Sequence, residues 1–151
     1  QKGENTTVIN ATGRTVNCTA STKTVSESES GATFLCNRAG GIAFTLPAIQ
    51  PGLKYRFFVL TTFTGTATIT AASGDLLAGN LLMVDTDTSN TTTGYRPDIS
   101  DDLIITLNGG TTGGLVGTDI TIEAVGKFGI DGRWIVSGVN NHNSNVATPF
   151  S

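Results

Sequence analysis

Charge is scarce in this chain. Lys, Arg, Asp and Glu make up 14% of its 151 residues, the net charge is −3, and there is one histidine. Binding to nucleic acid or to an anionic membrane needs clustered Lys and Arg, so neither partner is expected. No apolar run approaches the ~20 residues of a spanning helix, and the N-terminus lacks a signal-peptide pattern. Signatures of catalysis are missing too, with no P-loop, GxSxG or HExxH.

The residues that could carry chemistry are few, and each has a plainer role. His142 stands in the Asn-rich NNHNSN with no Asp, Cys or Ser arrangement of the kind a triad requires, and reads as a solvated tail residue. Glu123, Asp119 and Asp131 could supply a glycosidase pair. However, Asp119 opens a strand, Asp131 belongs to an Asp-Gly turn, and Glu123 points away from Ile122 toward solvent. Asp85, Asp87, Asp98, Asp101 and Asp102 offer hard oxygen ligands of the type Ca²⁺ takes, but not at EF-hand spacing. Cys18 and Cys36 form no CxxC and lie far from the histidine, which argues against a metal. Two buried thiols are the expectation, with a bridge open to them if their strands pair or stack. The Asn-x-Ser/Thr patterns at Asn5, Asn10, Asn17 and Asn90 read as unmodified. No enzyme, cofactor or metal is therefore expected.

Threonine and glycine are abundant instead, the latter at 19 residues. Thr favours strands and Gly favours turns, which points to an all-β chain of short strands. One domain of this length buries roughly two-thirds of its unfolded surface. The most hydrophobic stretch, Ile42–Leu60, alternates over Ile42, Phe44 and Leu46, turns at Pro47 and Pro51-Gly52, and alternates again over Leu53, Tyr55, Phe57 and Val59. It reads as a strand pair seeding the core. Its second strand changes from a charged outer face (Lys54, Arg56) to an apolar one (Phe58, Leu60), which predicts one wet end and one covered end.

Further alternation marks Val16–Cys18–Ala20, Ala32–Cys36, Ala67–Ala71, Leu103–Leu107, Ile120–Ala124 and Trp134–Val136. Leu76–Val84, broken by Gly79-Asn80, predicts two strand pieces or a bulged strand. Ser21–Gly31 reads as a polar loop and Asp85–Asp102 as a long contact loop. Asn108–Gly117 reads as a mobile or tightly turned connection. Residues 1–13 form an N-terminal arm, 14–139 one β domain and 140–151 a C-terminal tail. Turn signals recur roughly every 8–12 residues. The predicted fold is a β-sandwich, jelly-roll or tulip-like barrel of about nine to ten short antiparallel strands with extended arms.

The segments TLPAIQPGLKYRFFV, TATITAASGD and IEAVGKFGIDGRWIVSGV, in that order, resemble tailed-phage virion proteins of the head-decoration (cement) type, over about Ala32 to Val139. That resemblance implies a non-catalytic structural protein, usually trimeric, that stabilises an assembled capsid from its surface after synthesis in the host cytoplasm. Its partners would be two further copies and the lattice of the major capsid protein, with trimer avidity making attachment long-lived. Interface positions follow from the chain's free apolar groups. Thr7, Val8 and Ile9 of the arm suit strand addition. Phe58, Leu60 and Tyr95 suit a covered face, and Val146, Pro149 and Phe150 suit small anchors. The alternative is a phage tail or fibre β module binding a host-surface glycan, with Tyr95, Phe63 and Phe128 as its aromatics. A third reading, a secreted adhesion domain, predicts glycosylated asparagines or a Cys18–Cys36 bridge.

Overall fold

The computed structural model describes residues 14–86, 91–126 and 132–151. Thr7, Val8, Ile9, Asp87, Phe128 and Asp131 lie outside the described residues, as do Asn5, Asn10 and Asn90. Among the described residues twelve strands follow one another: β1 (Arg14–Cys18), β2 (Thr22–Thr24), β3 (Ala32–Cys36), β4 (Ala43–Thr45), β5 (Lys54–Val59), β6 (Ala67–Thr70), β7 (Leu77–Gly79), β8 (Leu81–Asp85), β9 (Thr92–Tyr95), β10 (Ile104–Leu107), β11 (Asp119–Val125) and β12 (Arg133–His142). The chain is all-β, as its composition predicts.

The strands form two sheets. The first has the order β1-β3-β5-β11-β12-β8-β9, with β7 also on β12, and the second the order β10-β6-β4-β2. Up to β6 the chain changes sheet at every strand, with starts at 14, 32 and 54 in the first sheet and 22, 43 and 67 in the second. Neighbours within a sheet are thus successive turns of a coil and run parallel: β1 with β3, β3 with β5, β2 with β4, and β4 with β6. Strands β7 and β8 also pair in parallel with β12. The antiparallel expectation holds for β11 with β5 and β12, for β8 with β9 and for β6 with β10, and is corrected for these parallel ladders. Alternation in sequence reports which face of a strand is buried, and that signal is the same for either direction.

Ile42–Leu60 is likewise not a hairpin. Strands β4 and β5 belong to opposite sheets, and the Pro47–Gly52 connection passes between them. Their inward residues meet face to face instead of side by side. Phe44 lies edge-on to Phe57 with ring centroids 4.9 Å apart, and Phe34 of β3 stacks on Phe57 at 5.3 Å. All three rings are buried. Each burial is worth about 1.5–3 kcal/mol, and each ring pair about 0.5–1.5 kcal/mol beyond that. Tyr55 and Trp134 extend the aromatic core at 6.0 Å.

Ser21–Gly31 is more ordered than its polarity suggests. It contains β2 and a turn of 3-10 helix, Glu27–Glu29, with Val25 buried between them. The Tyr55 hydroxyl donates to the Ser26 carbonyl at 2.9 Å, and Lys23 pairs with Glu29 at 2.8 Å. The two strand pieces read around Gly79 are present as β7 and β8. Gly79 has φ +91°, and a Cβ there would stand 2.1 Å from the Val136 carbonyl oxygen, so only glycine fits.

The C-terminal region folds back on the domain. β12 runs through residue 139 to His142, so the boundary read at 139/140 falls inside a strand. Phe150 then pairs with Ile105 and is buried. The Thr106 N–H donates to the Pro149 carbonyl at 2.7 Å, and Ser151 and Ile104 exchange bonds of 3.0 and 2.8 Å. The edge of β10 is thereby covered.

Candidate interaction surface

The outward residues of the first sheet can be followed across the strands by register. One row runs Asn17, Leu35, Phe58, Asp119, Val139, Leu82, Gly94. Four of these are apolar side chains on the solvent side, and Val139 and Leu82, neighbours on β12 and β8, are 40% and 45% exposed. Leu60, next outward in the alternation of β5, and Val116 are also exposed. The adjacent row is hydrophilic: Thr15, Thr33, Arg56, Thr121, Ser137. The face therefore has an apolar band at one end and a charged end with Lys54 in register with Glu123. This matches the change of character along Lys54–Leu60 in the sequence.

A bidentate ion pair sits where the two rows meet. Arg56 Nε and Nη2 donate to the two Asp119 carboxylate oxygens at 2.8 and 2.7 Å. The hydrogen bond to Asp119 raises the Arg56 pKa above its ordinary value, so the guanidinium stays charged. Its carbon lies 5.6 Å from the Phe58 ring centroid, a cation–π distance. Both members are partly open to solvent, which leaves the pair itself worth little in isolation.

The second sheet's outer face differs. Its two rows are Thr24, Thr45, Thr70, Ile104 and Thr22, Ala43, Thr68, Thr106. Hydroxyls dominate there, and cross-strand Thr pairs of this kind stabilise a solvated sheet.

Among the other predicted positions, Tyr95 is half-buried against the core, with its hydroxyl 3.5 Å from the Val146 carbonyl. Pro149 and Phe150 are buried in this chain's own domain, and Val146 is half-buried. Phe63 is buried beneath the glycine-rich loop, where its N–H donates to Gly114, so it presents no ring for stacking on a sugar. The structure does not bring Phe63 and Tyr95 together as a platform.

The chemistry-bearing residues are equally dispersed. His142 is 2% exposed, which overturns its reading as a solvated residue. Its Nδ1 is 2.9 Å from the Ser144 carbonyl, and Nε2 has no hydrogen-bond partner among the described residues. Asp119 is committed to Arg56, and Glu123 is exposed. Asp98 accepts bonds from the N–H and hydroxyl of Ser100, which lower its pKa, and Asp102 accepts from the Asp98 N–H. Among the described residues, no group of three or more His, Cys, Asp or Glu could hold a metal. Cys18 and Cys36 are register partners on β1 and β3, buried and unbridged. Burial pushes the Cys36 thiol up to about 12.

Asn108–Gly117 resolves as a tightly turned loop. Asn108 Oδ1 accepts from the N–H groups of Gly110 and Thr112, at 2.8 and 3.1 Å. Asn140, fully buried on β12, holds the loop from below, accepting from Gly114 N–H and donating to the Thr112 carbonyl, each at 2.9 Å.

Leu82, Val139 and Val116 were not singled out by sequence. Leu82 carried a signal, since it falls out of phase with Leu81 and Met83, but Val139 joins the band only through register. Comparison with protein-family models, with curated proteins and with solved structures finds no match.

Proposed function

We propose that this chain is a structural protein of a phage virion, a β-sandwich that decorates and stabilises the assembled capsid. It attaches as a homotrimer to the lattice of the major capsid protein, at the virion surface. The observation that carries this reading is the apolar band Leu35–Phe58–Val139–Leu82 on the outer face of a closely hydrogen-bonded sheet. Outward apolar side chains gathered in one row, Leu35 and Phe58 on one side of Asp119 and Val139 and Leu82 on the other, favour a protein-contact surface. The hydroxyl-covered second sheet suits the side that faces water. Weak contacts from each of three copies would sum to durable attachment when all engage together.

Cryo-electron microscopy of intact particles tests the location. Density for this fold on the head lattice is the expected result, and density confined to the tail would overturn it. Purified protein added to heads lacking it should co-sediment with them and raise their resistance to heat-induced rupture.

A further inference from the structure

We infer that Cys18 and Cys36 are a redox modification site, a dithiol that the folded chain closes to a disulfide by exchange with a small-molecule disulfide such as oxidised glutathione. The bridge locks the edge strand β1 onto β3. The inference goes beyond the function proposed above and does not depend on it.

Register brings the two thiols together. Cys18 and Cys36 are partners in the parallel pair β1–β3, both are buried, and the chain has no third cysteine to compete. Adjacent strands lie about 4.8 Å apart, inside the ~4.4–6.8 Å between Cα atoms that a disulfide spans. Each thiol leans toward the carbonyl two residues back in its own strand, Cys18 Sγ on Val16 at 3.6 Å and Cys36 Sγ on Phe34 at 3.9 Å. The two side chains therefore run alike, roughly one strand spacing apart. A rotation at Cys18 turns its sulfur toward Cys36.

The two members differ in how firmly they are held. β3 lies between β1 and β5, and the Cys36 carbonyl accepts from the N–H groups of Leu60 and Thr61 at 3.0 and 3.2 Å. β1 is the edge of its sheet, and Cys18 is the one buried residue of its five. A cavity of about 150 Å³ lined by Val16, Cys18, Ala20 and Lys23 opens beside it. Cys18 is thus the thiol that a reagent reaches, through this cavity and local opening of an edge strand, and Cys36 is the one that resolves.

The exchange balances. Cys18 Sγ, as thiolate, attacks the glutathione disulfide and expels one glutathione thiolate. Cys36 Sγ then attacks Cys18 Sγ and expels the second. The cysteines give up two protons and two electrons, and the glutathione disulfide is reduced to two thiols. Burial raises both thiols, Cys36 to about 12, with Lys23 partly offsetting it at Cys18. Exchange is accordingly slow at neutral pH and quickens as pH rises. The bridge closes the segment that holds β2 and the 3-10 turn, and such closure stabilises mainly by restricting the unfolded chain.

The test equilibrates the folded full chain overnight, without denaturant and at mildly alkaline pH, in excess oxidised glutathione. Intact mass and melting temperature are then read after an acid quench. The expected product is a single chain lighter by two hydrogens that takes up no thiol label when unfolded. Its melting temperature should rise by about 6–12 °C, and dithiothreitol should reverse both changes. An unchanged mass, a glutathione adduct that persists, disulfide-linked pairs of chains, or a bridged chain that melts no higher than the dithiol would each overturn the inference.

Discussion

Replacing Asn140 with alanine should cost about 3 kcal/mol. Asn140 is fully buried, so water cannot take over its contacts. Its Oδ1 accepts from the Gly114 N–H at 2.9 Å and the Thr118 hydroxyl at 3.3 Å, and its Nδ2 donates to the Thr112 carbonyl at 2.9 Å. Alanine leaves one buried donor, one hydroxyl and one acceptor without that partner, at about 1 kcal/mol or more each. The loop cannot close the gap without reorganising, because Gly113 and Gly114 are packed with φ +84° and +95°. Urea denaturation should show a lower midpoint at unchanged slope. In a domain of this size the melting temperature should fall by about 6–12 °C. Hydrogen exchange at the Gly114 amide should accelerate by more than that of the strand amides of β11. A loss below about 1 kcal/mol, or a Gly114 amide that stays as protected as in wild type, would refute the assignment of Asn140 as the loop's anchor.

Gly79→Ala should destabilise by several-fold more than an ordinary surface change, since the added Cβ meets the Val136 carbonyl at 2.1 Å on a backbone with φ +91°; a soluble variant with a wild-type melting temperature would contradict this. Alkaline pH should weaken the fold. Cys36 and Tyr55 are each pushed up to about 12 by burial, from 9.0 and 10.0. The native state therefore keeps protons that the unfolded state releases, so stability is complete below about pH 9 and declines toward pH 12. The urea midpoint against pH measures this, and Tyr55→Phe, which removes the bond to Ser26, should flatten the upper part of the slope. Native protein should resist alkylation at both thiols and take up two labels per chain once unfolded, as intact mass would show; an unfolded, unreduced chain that takes none would instead reveal a Cys18–Cys36 bridge.

The all-β character and most strands were legible because Thr-rich alternation is a local property. Phe34, Phe44, Tyr55, Phe57 and Trp134 could all be placed inward by counting in twos. Strand partnership could not. Pro47 and Pro51-Gly52 announce a reversal, and a reversal serves equally to pair two strands or to carry the chain from one sheet to the other. Val25 and β2 were hidden because a three-residue strand between serines and glutamates leaves almost no periodic signal. His142 was misplaced for a related reason. Its Asn neighbours suggest solvent, yet Asn140 is itself buried, satisfied by loop groups from residues 112, 114 and 118. On the outer surface, Phe58 and Leu60 could be suspected from one strand, but the band needs Val139 and Leu82 beside them. Only the register of β12 with β8 supplies that.

The exchange of sheet at each step from β1 to β6 has a kinetic consequence. In a hairpin protein, two adjacent strands can close early and wait for the rest. Here β1 has no partner until β3 arrives, and β2 none until β4 arrives, so each ladder closes only after a strand of the opposite sheet has been laid down. Within this β1–β6 coil neither layer grows without the other, and the inward phenylalanines Phe34, Phe44 and Phe57 must assemble as both layers form. Such non-local pairing places folding in the slow range of milliseconds to seconds. It also means that a nascent chain ending before β5 leaves Phe34 and Phe44 without the Phe57 ring that both pack on, so the aromatic centre of the core is complete only once the strand at Lys54–Val59 has been made.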